Sequence, residues 1–138
     1  MFDDVFARAR ELADDPLQVA LIGLKLLAEL IDDMPNGHPG CIVATAVYQD
    51  RLFNADVREA NQRAVKGWRK RFRTVIDEIV AVYPPNDDVD LDHLADMVSG
   101  VIEGGLVVAK ALGEPRATSQ QVMLLRSYFK LLFAPRPN

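Results

Sequence analysis

Few side chains in this chain are of types that do chemistry. Cys41 is the sole cysteine, and His38 and His93 are the only histidines. A thiol near the start of a helix can be held as thiolate, which would make Cys41 a redox or electrophile sensor. The plainer role, a small buried apolar residue, is the one expected. His93 with Asp92 and Asp96 has the look of an acid–base or metal cluster, but two further ligands at metal spacing are missing. Asp88-Val89-Asp90-Leu91-Asp92 looks like the start of a calcium loop. Counted from Asp88, the sixth residue is His93 where such a loop needs glycine, and the twelfth is Ser99 where it needs glutamate. These aspartates are therefore expected to be an acidic helix start that complements the helix dipole. Both histidines are expected at the surface. There is no glycine-rich phosphate loop of recognised spacing and no nucleophile elbow. No catalytic residue, metal or cofactor is expected, and the chain does not read as an enzyme.

Two groupings could bind rather than react. Arg58, Arg63, Lys66, Arg69, Lys70, Arg71 and Arg73 crowd one segment. They would suit nucleic acid or another anion, but the expected role is the solvated back of an amphipathic helix. Trp68, Phe72 and Tyr48, with Cys41 and Thr45, would face neighbouring helices. Such a cluster serves as ordinary core or as the wall of a cavity for an apolar ligand, and residue types leave both open.

The elements that must position these residues are helical. The chain has 138 residues, so a single domain over 1–138 is the default. Apolar residues make up 49 % and charged residues 26 %, which excludes a disordered tail. The net charge of −4 excludes a protein basic throughout. One cysteine excludes an intramolecular disulfide framework. No apolar run reaches the ~18 residues of a membrane span, and Met1-Phe2-Asp3-Asp4 lacks the basic start of a secretion signal. A cytoplasmic location without membrane contact is expected.

Breakers divide the chain into six segments, and the fold class expected is all-α, a six-helix bundle. Phe2 to about Asp14 carries one narrow stripe. Asp15-Pro16 caps and starts a second helix, Leu17 to Met34, that is apolar almost all round and should lie at the centre. Pro35-Asn36-Gly37-His38-Pro39-Gly40 breaks the chain before a short apolar helix, Cys41 to Phe53. Asn54 caps the longest helix, Ala55 to Tyr83, with the stripe Val57, Ala60, Ala64, Trp68, Phe72, Val75, Ile79, Val82. The fifth helix runs from Leu91 to Leu112. The sixth starts at a capping box, Thr118-Ser119-Gln120-Gln121, and runs to about Ala134.

The last two helices carry more apolar surface than one core uses. In the fifth, Leu94, Val98, Val101, Gly105, Val108 and Leu112 form one stripe, and Met97, Gly104, Val107 and Ala111 form a second. In the sixth, Val122, Leu125, Phe129 and Leu132 form one, and Leu124, Tyr128 and Leu131 another. A domain this small cannot enclose every helix. The second stripes predict a homodimer in which both helices pack on their symmetry mates.

Four stretches in this order carry a family resemblance. They are the Asp15-Pro16-Leu17 junction, Gly40-Cys41-Ile42-Val43 opening a short helix, the long helix with a central Trp68-Arg69, and Glu103-Gly104-Gly105-Leu106-Val107-Val108-Ala109-Lys110. From about Phe2 to Phe133 the chain resembles the C-terminal ligand-binding and dimerisation domain of TetR/AcrR-family transcriptional regulators. The resemblance implies a bacterial-type repressor whose last two long helices form a four-helix dimer interface. It implies a cavity for a small hydrophobic or aromatic effector that allosterically controls DNA binding. By helix position the ligand candidates are Ile22 and Leu26, then Cys41, Thr45 and Tyr48, then Trp68 and Phe72, and finally Val98 and Glu103. Glu103 would orient a polar group of the ligand or bind backbone near the two glycines. The interface candidates are Gly104, Val107, Ala111, Leu124, Tyr128 and Leu131. Family members also carry an N-terminal helix-turn-helix module, whose signatures are absent before Phe2. DNA is therefore expected to be a partner only through a domain this sequence lacks. The alternative is a stand-alone helical interaction module without a small-molecule ligand.

Overall fold

Each long stripe of the sequence folds as a helix between the breakers that bound it. A computed structural model describes residues 1–137. It contains α1 (Phe2–Leu12), α2 (Pro16–Asp32), α3 (Ile42–Tyr48), α4 (Ala55–Val80), α5 (Leu91–Leu112) and α6 (Ala117–Phe133), with a single 3₁₀ turn at Asp50–Leu52. Among the described residues there is no strand, so the chain is all-α.

Three of the starts are capped as the residue types require. The side chains of Asp15, Asn54 and Asp90 accept the backbone N–H of Gln18, Val57 and His93. Asp15 does more, because the Tyr83 hydroxyl donates to its second oxygen at 2.5 Å. This ties the start of α2 to the segment after α4 and holds the Asp15 carboxyl below its ordinary pKa. At the other end of α5, Gly113 adopts a left-handed conformation with φ of 66°, which glycine tolerates without a Cβ clash.

α2 packs against α1, α4 and α6, as a helix apolar on nearly all sides should. Leu21, Leu24, Leu27 and Ile31 meet Ile76 and Ile79 of α4 and Val122, Leu125 and Phe129 of α6 in one core. Ile76 and Ile79 are wholly buried and contribute about 1.5–3 kcal/mol each. α5 and α6 come very close at Gly105. A Cβ there would stand 2.9 Å from the Thr118 Cα.

Several bounds differ from the sequence reading. The segment 41–53 does not make one helix: α3 stops at Tyr48, a 3₁₀ turn follows, and none of its residues is buried. α4 ends at Val80 rather than Tyr83, ahead of Pro84-Pro85. Val75 and Ile79 of its stripe are buried, but Ala60 is exposed, since the first half of α4 extends past the core, and Val82 is exposed beyond the end of the helix. α1 ends at Leu12 and α2 at Asp32. The capping box at Thr118 does not form. α6 begins one residue earlier, and Thr118 and Ser119 are buried in its first turn because Thr118 fills the close approach to Gly105. One cap was hidden in the acidic loop. Asn86 Nδ2 donates to the carbonyls of Leu131 and Ala134 and closes the end of α6.

Three substitutions test this packing. Gly105→Ala should destabilise the fold by about 1–3 kcal/mol in urea unfolding, because the opposing atom is backbone and cannot turn away. Gly67→Ala, in an open part of α4, should instead stabilise by up to about 1 kcal/mol. Tyr83→Phe should cost about 1 kcal/mol at pH 7. Asp15 is lowered in the fold, so its stabilisation is complete above the unfolded value of about 3.9 and is lost as pH falls through the folded value. The Tyr83→Phe chain should therefore lose less stability on acidification than the parent.

Candidate ligand-binding site

The middle of α4 stands beside α5 and leaves a space between the two helices. Trp68, Arg71 and Phe72 of α4 form one wall, and Ser99, Ile102, Glu103 and Leu106 of α5 form another. The start of α1 supplies Phe2, α2 supplies Leu27, and the segment His38–Val43 crosses the side. The cavity holds about 520 Å³, within the ~300–1,000 Å³ of small-molecule sites. Its aromatic side is continuous: the Phe2 ring stands edge-on to Phe72 with centroids 4.6 Å apart, and lies 4.4 Å from Phe6.

The crossing segment is shaped by its breakers. Gly40 has φ of 105°, a conformation other residues rarely adopt. Its N–H donates to His38 Nδ1 at 3.0 Å, so His38 presents its other ring nitrogen. His38 is half-buried on the cavity wall and is not the surface residue expected. Cys41 follows, half-buried against Glu103 of α5. Burial pushes the Cys41 thiol up, and the Glu103 carboxylate adds to this. The thiol is therefore kept protonated at neutral pH, which opposes a sensor role.

Cys41, Trp68, Phe72 and Glu103 of the candidate set meet at this cavity. The others do not. Val98 is 2 % exposed in the core. Ile22 and Leu26 are half-buried away from the cavity, where α2 contributes Leu27 instead. Thr45 is exposed, its hydroxyl donating to the Cys41 carbonyl. Tyr48 is 81 % exposed, since α3 is too short to turn it inward. Phe2, Ile102 and Leu106 line the cavity without having been singled out. Ile102 and Leu106 stand one helical turn apart on the face of α5 that carries Glu103, a spacing visible in the sequence.

Part of the basic segment of α4 is paired within the fold, while Lys66 and Lys70 are exposed. Arg69 makes a two-pronged contact with Asp96 at 2.8 and 2.7 Å, and Arg73 reaches Asp77 and Asp92 at 2.7 Å. These pairs hold the Asp96 carboxyl below its ordinary range. The acidic start of α5 thus matches the basic face of α4. Among the described residues no group of three or more His, Cys, Asp or Glu is placed to hold a metal. No helix of the described residues is long and apolar enough to cross a membrane.

The outer faces of α5 and α6 carry the second stripes. Val107, Leu124 and Leu131 are 56 %, 62 % and 73 % exposed, and Gly104 and Ala111 lie open between them. Tyr128 is half-buried and also packs on the core. A Cβ added at Gly100 or Gly104 would meet nothing within 4 Å.

A family profile described as "Tetracyclin repressor-like, C-terminal domain" matches residues 25–123, more than two thirds of the chain. The chain belongs to this family. No curated protein and no solved structure gives a significant match. TetR-like C-terminal domains typically dimerise and bind small ligands, and are generally not enzymes.

The thiol gives the site a direct readout. Alkylation of Cys41 by iodoacetamide should be slow at pH 7.5 and keep rising with pH beyond the ordinary thiol range. Glu103→Gln should speed it severalfold at pH 7.5 by removing the neighbouring charge. An unchanged rate would mean that Glu103 does not act on the thiol.

Proposed function

We propose that this chain is the effector-binding and dimerisation domain of a TetR-type transcriptional regulator, acting in the cytoplasm as a non-enzymatic module. The observation that carries the reading is the 520 Å³ cavity lined by Phe2, Trp68, Phe72, Ile102 and Leu106, in a domain of this family. A small apolar or aromatic effector occupies it. Binding favours one arrangement of the helices over another and so changes DNA binding by the full-length protein. The cavity lies between α4 and α5, and α5 also carries the outward stripe, so an effector that moves α5 moves the dimer face.

The dimer forms through the outer faces of α5 and α6. Glycines in the interior of an exposed helix cost about 1 kcal/mol each relative to alanine. Gly100 and Gly104 return nothing within this chain, because no neighbour needs the space. Close approach of a second copy gives them a purpose.

Two variants separate the two roles. Ile102→Trp fills the cavity, and should abolish the blue-shifted emission of added Nile red while leaving the dimer intact. Gly104→Arg should keep dye binding and thermal stability, and raise the dimer dissociation constant by at least about a hundredfold through burial of an unpaired charge. Sedimentation and dye titration read both. Unchanged dye binding in Ile102→Trp, or unchanged association in Gly104→Arg, would contradict the respective assignment.

A further inference from the structure

The cavity has a mostly apolar lining but one free anionic group. Glu103 is half-buried in its wall on α5. Among the described residues it has no ion pair, and the Cys41 thiol is the polar side chain set against it. Two residues that carry cationic groups, Arg71 and Met1, also line the cavity, and each has an acidic neighbour. Arg71 is more than half exposed and turns to Asp3 at 3.8 Å. The Met1 amino group sits on Asp4 at 2.9 Å. Lys110 lies two turns on from Glu103 along α5 but lays its stem against Gly40.

The carboxylate oxygens of Glu103 are not sealed from solvent, and a cationic ligand would give them a charged partner that no side chain of the described residues supplies. The opposite wall, with Trp68 and Phe72, offers apolar ring surface for the body of such a ligand. A ligand carboxylate would instead meet Glu103 as a like charge.

We propose that the cavity takes an organic cation, an amine on a short apolar or aromatic body, with its ammonium head on Glu103 and its body against Trp68 and Phe72. This rests on the reading of the cavity as an effector site and adds the chemical class of the effector. The Cys41 thiol, kept neutral, does not compete for the charge, and the ammonium completes the hydrogen bonding of the carboxylate.

Three probes with one body and different heads test this on the full chain: 4-phenylbutylamine, 4-phenylbutanol and 4-phenylbutyrate. Binding is read by calorimetry and by emission of Trp68, the sole tryptophan. The amine should bind about tenfold to a hundredfold more tightly than the alcohol, with the carboxylate weakest. Glu103→Gln should remove the advantage of the amine and leave the alcohol within about twofold. An amine that binds no better than the alcohol, or an advantage that survives Glu103→Gln, overturns the cation assignment while alcohol binding upholds the cavity. If none of the three gives heat or moves Trp68 emission, the cavity reading and the cation assignment fail together.

Discussion

The closeness of α5 to α6 at Gly105 governs the rest of the molecule. With the α5 backbone set against Thr118, the rotation of α5 about its own axis is fixed. Leu94, Val98 and Gly105 then point inward. Ser99, Ile102, Glu103 and Leu106 face the cavity, and Gly104, Val107 and Ala111 face out. One helix thus carries core, pocket and outer face on three sides. A turn of α5 by one residue would exchange these roles, about 100° of rotation for each residue.

Electrostatics hold the other wall in place. Arg69 and Arg73 on α4 meet Asp96 and Asp92 on α5, so the middle of α4 is held to α5 by charge as well as by apolar contact. Both pairs are partly exposed, so solvent screens them and weakens their contribution to stability. Their larger effect is geometric. They tie the part of α4 that carries Trp68 and Phe72 to the start of α5.

Much of this was legible in the residues. Helix number, the caps at Asp15, Asn54 and Asp90, and the inward turn of Leu94, Val98 and Gly105 follow from spacing and residue type, whereas Val108 and Leu112 of the same stripe are exposed. The inward residues of α2 were not legible, because a helix apolar on nearly every side gives no pattern from which to choose Leu27 over Leu26 or Ile22. Tyr48 went outward because segment 41–53 divides into two short pieces, α3 and a 3₁₀ turn, neither of which buries a residue. The pairing of basic α4 with acidic α5 also depends on which helices become neighbours. Each charge run looked like an independent solvated face until the two were set side by side.

The central claim is that α5 works from both sides, with a pocket on one and a second copy of the chain on the other. Native mass spectrometry of the unmodified chain at micromolar concentration tests it most directly. The account predicts a dimer, able to keep a small molecule through gentle desolvation. A monomer that carries no ligand and takes up none when a probe amine is added would contradict it.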